Sequence, residues 1–268
     1  PALDLNHISV RNDDGVAYLE TMSPVDCIFL DPARRNEHGG KTVAISDCEP
    51  NVAELEGLLL SKANRIMIKL SPMLDLSQAL KELPHTQEVH IISVNNECKE
   101  LLLLLGQTAP EEIPVHCVNL STKGEQEKQL FVFTREQEQH SECSYTDTLG
   151  NYLYEPNASL LKAGAFRSIA AAYSVKKLHP NSHLYTSDTQ IEGFPGRTFR
   201  IINRCSLNKK EIKENLSDLK KANITVRNFP ATVAELRKRI KLAEGGDTYL
   251  FASTLNDGQK ILIRCGKV

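Results

Sequence analysis

The sequence predicts an α/β fold in which a largely parallel sheet ends in an antiparallel hairpin and is followed by small α+β domains. Three observations lead there. Over the first 134 residues, short β-branched runs alternate with helical segments, the order that builds a parallel sheet. Two strand-like runs then flank Ser121-Thr122-Lys123-Gly124, which is hairpin chemistry. From Arg197 onward the chain alternates strand and helix twice and closes on a second hairpin at Asn256-Asp257-Gly258.

Val25 to Leu30 reads as a buried strand running into a polar loop from Asp31 to Gly40. Asn51 to Leu60 is a short amphipathic helix that starts after Pro50, and Arg65 to Leu70 is a second strand stopped by Ser71-Pro72. Leu76, Ala79, Leu80 and Leu83 share one helical face within Leu74 to Leu83. Glu88 to Val94 is a third strand, and Glu97 to Leu105 reads as a helix ended by Gly106. Val115 to Leu120 and Gln129 to Thr134 form the hairpin arms. Residues 135–150 are polar, a linker or a solvated helix. Leu160 to Tyr173 reads as one helix between loops at Tyr154-Glu155-Pro156-Asn157 and Gly193-Phe194-Pro195-Gly196. That unit is too small to bury a core alone and must pack on a neighbour. Phe199 to Ser206 and Ile224 to Arg227 are strands. Asn208 caps a helix that turns Ile212, Leu216 and Leu219 inward. Thr232 and Glu235 form a capping box for a helix running through Leu242 to Gly245-Gly246. Thr248 to Thr254 and Gln259 to Arg264 complete the tail.

At 268 residues, 41% of them apolar and 25% charged, the chain is neither disordered nor fibrous, and its length predicts two domains or a compact three. The boundaries fall at 134 and 196, giving 1–134, 135–196 and 197–268. The longest apolar run, Leu101 to Leu105, falls far short of the roughly 20 residues of a membrane span. Seven cysteines, an odd number without a Cys-x-x-Cys pair, indicate reduced thiols in a cytoplasm rather than a disulfide framework or a metal site. Cys27 and Cys265 lie within apolar strand runs, where a thiol packs as a small hydrophobe. The chain opens on Pro1-Ala2-Leu3, with no initiator Met and no signal peptide, inside sequence that already reads as folded. It is expected to be the C-terminal piece of a longer protein.

The formal net charge of −2 hides an asymmetry. Residues 197–268 carry 16 Lys+Arg against 7 Asp+Glu, a net of +9, while residues 1–196 hold 16 against 27, a net of −11. A nucleic-acid-facing module attached to an acidic body has this signature. Arg197, Arg200, Arg204, Arg237 and Lys238 are the candidates for tracking a phosphate backbone.

The sharpest local feature is Asp31-Pro32-Ala33-Arg34-Arg35 directly after a strand. Ligands of open α/β sheets bind outside the carboxyl ends of strands. There the acid can accept hydrogen bonds, the proline stiffens the turn, and the arginines can clamp phosphate. Asn12-Asp13-Asp14-Gly15-Val16, the Asp31 loop and Ile66 to Pro72, followed by a strand and a closing hairpin, resemble the later half of a class I S-adenosylmethionine-dependent methyltransferase. Lys69-Leu70-Ser71-Pro72-Met73-Leu74-Asp75, Glu97 to Leu102, Tyr152 to Asn157 and His183 to Ser187 narrow the likeness. They resemble a bacterial family with a methyltransferase domain, a small ferredoxin-like insert and a C-terminal THUMP-like domain, to which Asn223 to Asp247 is similar.

The resemblance implies a truncated Rossmann-like methyltransferase sheet with S-adenosylmethionine as methyl donor. Asp13 or Asp14, with Gly15, would meet the adenine. Asp31 and Pro32 would stand beside the donor and the target atom, and Arg34, Arg35, Lys69 and Ser71 would face the substrate. THUMP domains are associated with RNA, so a tRNA or rRNA partner is implied, with no membrane and no metal. The family's glycine-rich loop is absent, so this chain alone should bind the cofactor poorly. Ser71-Pro72 stands where the uracil-C5 enzymes carry a nucleophilic cysteine, which leaves amine methylation by positioning. A non-catalytic RNA-binding module on the same scaffold, or a methyltransferase for protein or small molecules, are the competing readings.

Overall fold

A computed structural model of the chain describes residues 7–34, 44–122 and 128–268; Arg35, Lys123 and Gly124 lie outside the described residues. It divides into two units, Pro1–His90 with Glu100–Ile113, and Ile91–Lys99 with Pro114–Val268.

Helix α1 (Gly15–Thr21) begins where Asp14 Oδ1 accepts from the amides of Val16 and Ala17 at 2.9 and 2.8 Å, two of the donors that a helix start leaves free. Strand β1 (Val25–Leu30) follows. The short β2 (Ala33–Arg34) pairs antiparallel with β3 (Cys48–Glu49) after a 3₁₀ turn at Ile45–Asp47. Asn51 caps α2 (Val52–Lys62), which buries Val52, Glu56 and Leu59. At its other end Lys62 donates to the carbonyls of Glu20 and Met22, both at 2.9 Å. Strand β4 (Ala63–Leu70) pairs parallel with β1, Phe29 opposite Met67, and buries Ile66, Ile68 and Leu70. Asp75 caps α3 (Leu76–Glu82). Strands β5 (Thr86–Val94), β6 (Glu97–Gly106), β7 (Pro114–Leu120) and β8 (Lys128–Thr134) complete a sheet of order β1-β4-β6-β5-β7-β8.

Two expectations change here. Glu97 to Leu105 is not a helix but β6, paired antiparallel with β4 from Leu70–Leu101 to Arg65–Gly106. Leu101, Leu103 and Leu105 are buried while Leu102 and Leu104 are half-buried, a period of two. Five consecutive leucines display no period of their own, so leucine's helix propensity had nothing to oppose it. The available signal was Asn95-Asn96, whose φ values of 51° and 64° make the two-residue hairpin turn. As a result β4, parallel to β1 on one side, pairs antiparallel with β6 on the other. Cys27 is also not a packed hydrophobe: it is exposed, like Phe29 at 58%, because β1 is the outermost strand.

The second unit continues from the β7–β8 hairpin into α4 (Arg135–His140), opened by a Thr134–Gln137 capping box. Tyr154 to Pro156 is not a loop; it belongs to β9 (Tyr152–Pro156), fully inside a sheet. Leu160 to Tyr173 is two helices, α5 (Ala158–Ala163), capped by Asn157, and α6 (Phe166–Tyr173). Gly164, at φ 76°, divides them. Helix α6 has no capping side chain of its own. Glu138 serves instead, accepting from the amides of Phe166, Arg167 and Ser168 at 2.8–3.0 Å.

Short β10 (Lys176–Lys177) and β11 (Tyr185–Ser187) precede the long β12 (Gly196–Cys205). Then come α7 (Lys209–Leu216), β13 (Asn223–Val226), α8 (Val233–Ile240), β14 (Thr248–Thr254) and β15 (Lys260–Lys267). Lys241, at φ 61°, ends α8 before Gly245 is reached. The strands form one sheet, β10-β11-β9-β12-β15-β14-β13. One core holds Leu153, Phe199, Phe251 and Ile263; the other holds Leu216, Leu236, Leu250 and Leu262. A bulge between Ile201 and Asn203 shifts the register of β12, so Phe199 joins the first core and Cys205, six residues on, joins the second.

Candidate functional site

Because β1 and β4 are parallel neighbours, their carboxyl ends lie side by side, and this brings Asp31 and Lys69 together. Lys69 Nζ sits 2.5 Å from Asp31 Oδ2 and 3.9 Å from Glu100 Oε2. The hydrogen bond to Asp31 raises the Lys69 pKa, with the two carboxylate charges adding to it against desolvation. An ion pair this exposed contributes little to stability, so its consequence is geometric: one oxygen of Asp31 is held by Lys69 at the end of β1. Ser71 Oγ accepts from the amide of Met73 at 3.2 Å, which fixes the turn after β4. Pro32 links Asp31 to β2, where Arg34 pairs with Cys48.

Asp14 and Gly15 line a cavity of about 940 Å³ together with Leu30, Cys48, Pro50 and Leu59. Asp31 and Asp13 are not among its lining residues. Tyr18, Leu19 and Met22 of α1 and its C-cap also line it, and sequence reasoning passed over them; the missed signal was Asp14 as an N-cap. The apolar walls suit a purine ring, and among the described residues Asp14 keeps an oxygen free beside the one that caps α1. Its lining residues include no lysine, arginine or histidine to receive a carboxylate. The described residues therefore fit the adenosyl part of S-adenosylmethionine and not its amino-acid part.

In the second unit the basic candidates separate. Arg197 is held by Glu155, whose side chain is 2% exposed. Arg197 Nε donates to Glu155 Oε2 at 2.9 Å, and its terminal nitrogen contacts the same oxygen. Arg227 donates to Oε1 from Nε and a terminal nitrogen, at 3.2 and 2.9 Å. Arg200 and Arg204 stand exposed on β12 with Ile202 between them, and Lys238 is exposed on α8. Arg237 instead turns inward and donates to the carbonyl of Ala222 at 3.2 Å.

His183 adopts φ 52°, and its ring stacks on Phe166 at 3.6 Å. Its Nδ1 is buried without a hydrogen-bond partner among the described residues. Burial, followed by the charges of Lys177 and Arg227, pushes its pKa down to about 4 from 6.5. The unfolded chain thus binds a proton that the fold refuses, so stability present above pH 6.5 is lost as pH falls towards 4. Allowing for partial exposure, this amounts to about 1–2 kcal/mol. In urea melts at pH 7 and pH 4.5, His183→Asn should lose less stability between the two pH values than the parent, by that amount. Equal losses would exclude His183 as the source.

Residues 152–195 match the ferredoxin-like domain family and residues 196–267 match the THUMP domain-like family. The chain is similar to a crystal structure described as a "putative methyltransferase from Porphyromonas gingivalis W83", with 40% sequence identity and a TM-score of 0.81. That likeness covers 91% of this chain, which spans 60% of the length of the Porphyromonas protein. No curated protein matches the chain. Among the described residues, no helix is long and apolar enough to cross a membrane. The chain thus carries a ferredoxin-like domain followed by a THUMP-like domain, and over most of its length it shares the fold of a methyltransferase-type protein.

Proposed function

We propose that the chain belongs to a cytoplasmic S-adenosylmethionine-dependent methyltransferase acting on RNA, with residues 1–134 in its catalytic domain. The observation that carries this reading is Asp31 at the carboxyl end of β1, fixed through one oxygen by Lys69 in a chain related to a methyltransferase. When bound, the cofactor supplies an electrophilic methyl group on its sulfonium sulfur. Asp14 and Gly15 hold its adenosyl part. Asp31 would orient the acceptor amine towards that methyl group and take up, directly or through water, the proton the amine gives up. Pro32 limits the movement of the loop, and Arg34 and Arg35 position substrate phosphate.

The basic residues 197–268 supply affinity through phosphate contacts, with Arg200, Arg204 and Lys238 outermost. For single-stranded RNA, the logarithm of the affinity should fall linearly with the logarithm of salt concentration. Replacing Arg200 and Arg204 by alanine should flatten that slope by about 1.4, or about 0.7 per lost contact. A flat salt dependence in the parent chain would reject RNA as the partner. Calorimetric titration of S-adenosylhomocysteine tests the other half: the complete protein should bind it and the 268-residue chain should not.

A further inference from the structure

A second cavity, of about 640 Å³, lies wholly within the second unit, and the mechanism above does not use it. Its wall is a closed amide network. The Gln129 side-chain carbonyl accepts from Asn119 Nδ2 at 3.2 Å and Asn157 Nδ2 at 3.0 Å, while Gln129 Nε2 donates to the carbonyl of Gly196 at 3.0 Å. Ser93 donates to Asn119 Oδ1 at 2.8 Å, and Asn157 Oδ1 caps α5. With their groups engaged by one another, these residues make a rigid wall rather than a set of ligand contacts. Gly196 has to be glycine there, because a Cβ would lie 2.1 Å from the carbonyl oxygen of Glu155.

Two cationic side chains stand among the groups left over. Arg197 lines the cavity with its Nε edge fixed on buried Glu155, which leaves its remaining terminal nitrogen without a partner among the described residues. Exposed Lys267 lines it as well. Asn96 Oδ1 accepts from the amide of Ala158 at 2.8 Å, leaving its Nδ2 as a donor, and Gln190 adds a further amide. Glu192 is the one acidic side chain in the lining. The result is a preorganised pocket lined by two cationic side chains, Arg197 and Lys267, and one acidic one, Glu192, within the size range of nucleotide-scale ligand sites.

We propose that this cavity receives one nucleotide of a single-stranded RNA segment, with its phosphate on Arg197 and Lys267 and its base edge within reach of Asn96 and Gln190. The assignment rests on the RNA reading above and adds to it a defined subsite, separate from the exposed arginines of β12.

The test titrates the 268-residue chain with a fluorescein-labelled single-stranded RNA octamer, alongside Lys267→Glu and the charge-matched surface variant Lys81→Glu. Backbone amide NMR shifts at Gly193 and Gly196 are followed in the same titration. Lys267→Glu should weaken binding about tenfold relative to Lys81→Glu, with RNA-induced shifts at both glycines in the parent chain. Equal affinities of the two variants, or glycine signals that RNA leaves unmoved, would overturn the subsite while leaving RNA binding to the basic face intact. Shifts on adding inorganic phosphate but not RNA would make it a small-anion site and overturn the proposal. No binding of RNA at all would remove the RNA reading itself.

Discussion

Replacing both Arg197 and Arg227 by methionine is expected to destabilise the second unit by about 3–5 kcal/mol, the cost of leaving a buried charge uncompensated. Glu155 is 2% exposed, and both its oxygens are satisfied by these two guanidinium groups. Its reach to water is minimal, so without them its charge stays buried and unpaired. The reverse change should cost much less. In Glu155→Met the two arginines, at 40% and 36% exposure, can turn to solvent, while methionine fills the volume. This asymmetry is the signature to look for in urea melts monitored by circular dichroism. If the double arginine variant melts at the parent's urea concentration, Glu155 is not the charged centre of this clamp. The consequence reaches beyond stability, because Glu155 lies in the ferredoxin-like match while Arg197 and Arg227 lie in the THUMP-like one. One carboxylate ties β9 to β12 and to the end of β13 within a single sheet.

Asp31→Ala in the complete protein should lower methyl transfer to RNA by about 10²-fold or more, the scale of misplacing a reacting group by an ångström. RNA affinity should stay within about twofold, because the basic residues of 197–268 supply most of the phosphate contacts. Lys69→Met, which keeps the carboxylate but releases the oxygen held at 2.5 Å, should reduce turnover by a smaller factor with KM little changed. Turnover undiminished in Asp31→Ala, measured by radiolabelled methyl incorporation, would remove Asp31 from the site.

Where local chemistry and tertiary environment agree, the sequence was sufficient. Val25 to Leu30, Arg65 to Leu70 and the arms around residues 121–124 are strands because β-branched runs are bounded by strong breakers. The helices capped by Asn51, Asn208 and Thr232 begin where a side chain can take up free amides. The Asp31 loop was legible for the same reason, as a stiff acidic turn at a strand end. Its partner was not. Lys69 lies thirty-eight residues away, and only the parallel register of β1 with β4 sets the two side by side.

The strand β6 was decided the same way. A run of leucines carries no period, and the hydrogen-bonding edge of β4 selected the extended form. Glu155 reads as a loop residue because glutamate beside proline is turn chemistry. It became a buried strand position only because Arg197 and Arg227, 42 and 72 residues further on, neutralise it. By itself the sequence determined which segments are regular and where charge and turn chemistry accumulate, since these depend on neighbours within a few residues. The tertiary structure alone decided which carboxylate meets which cation and which ambiguous run becomes a strand, because those energies arise from groups that sequence separation conceals.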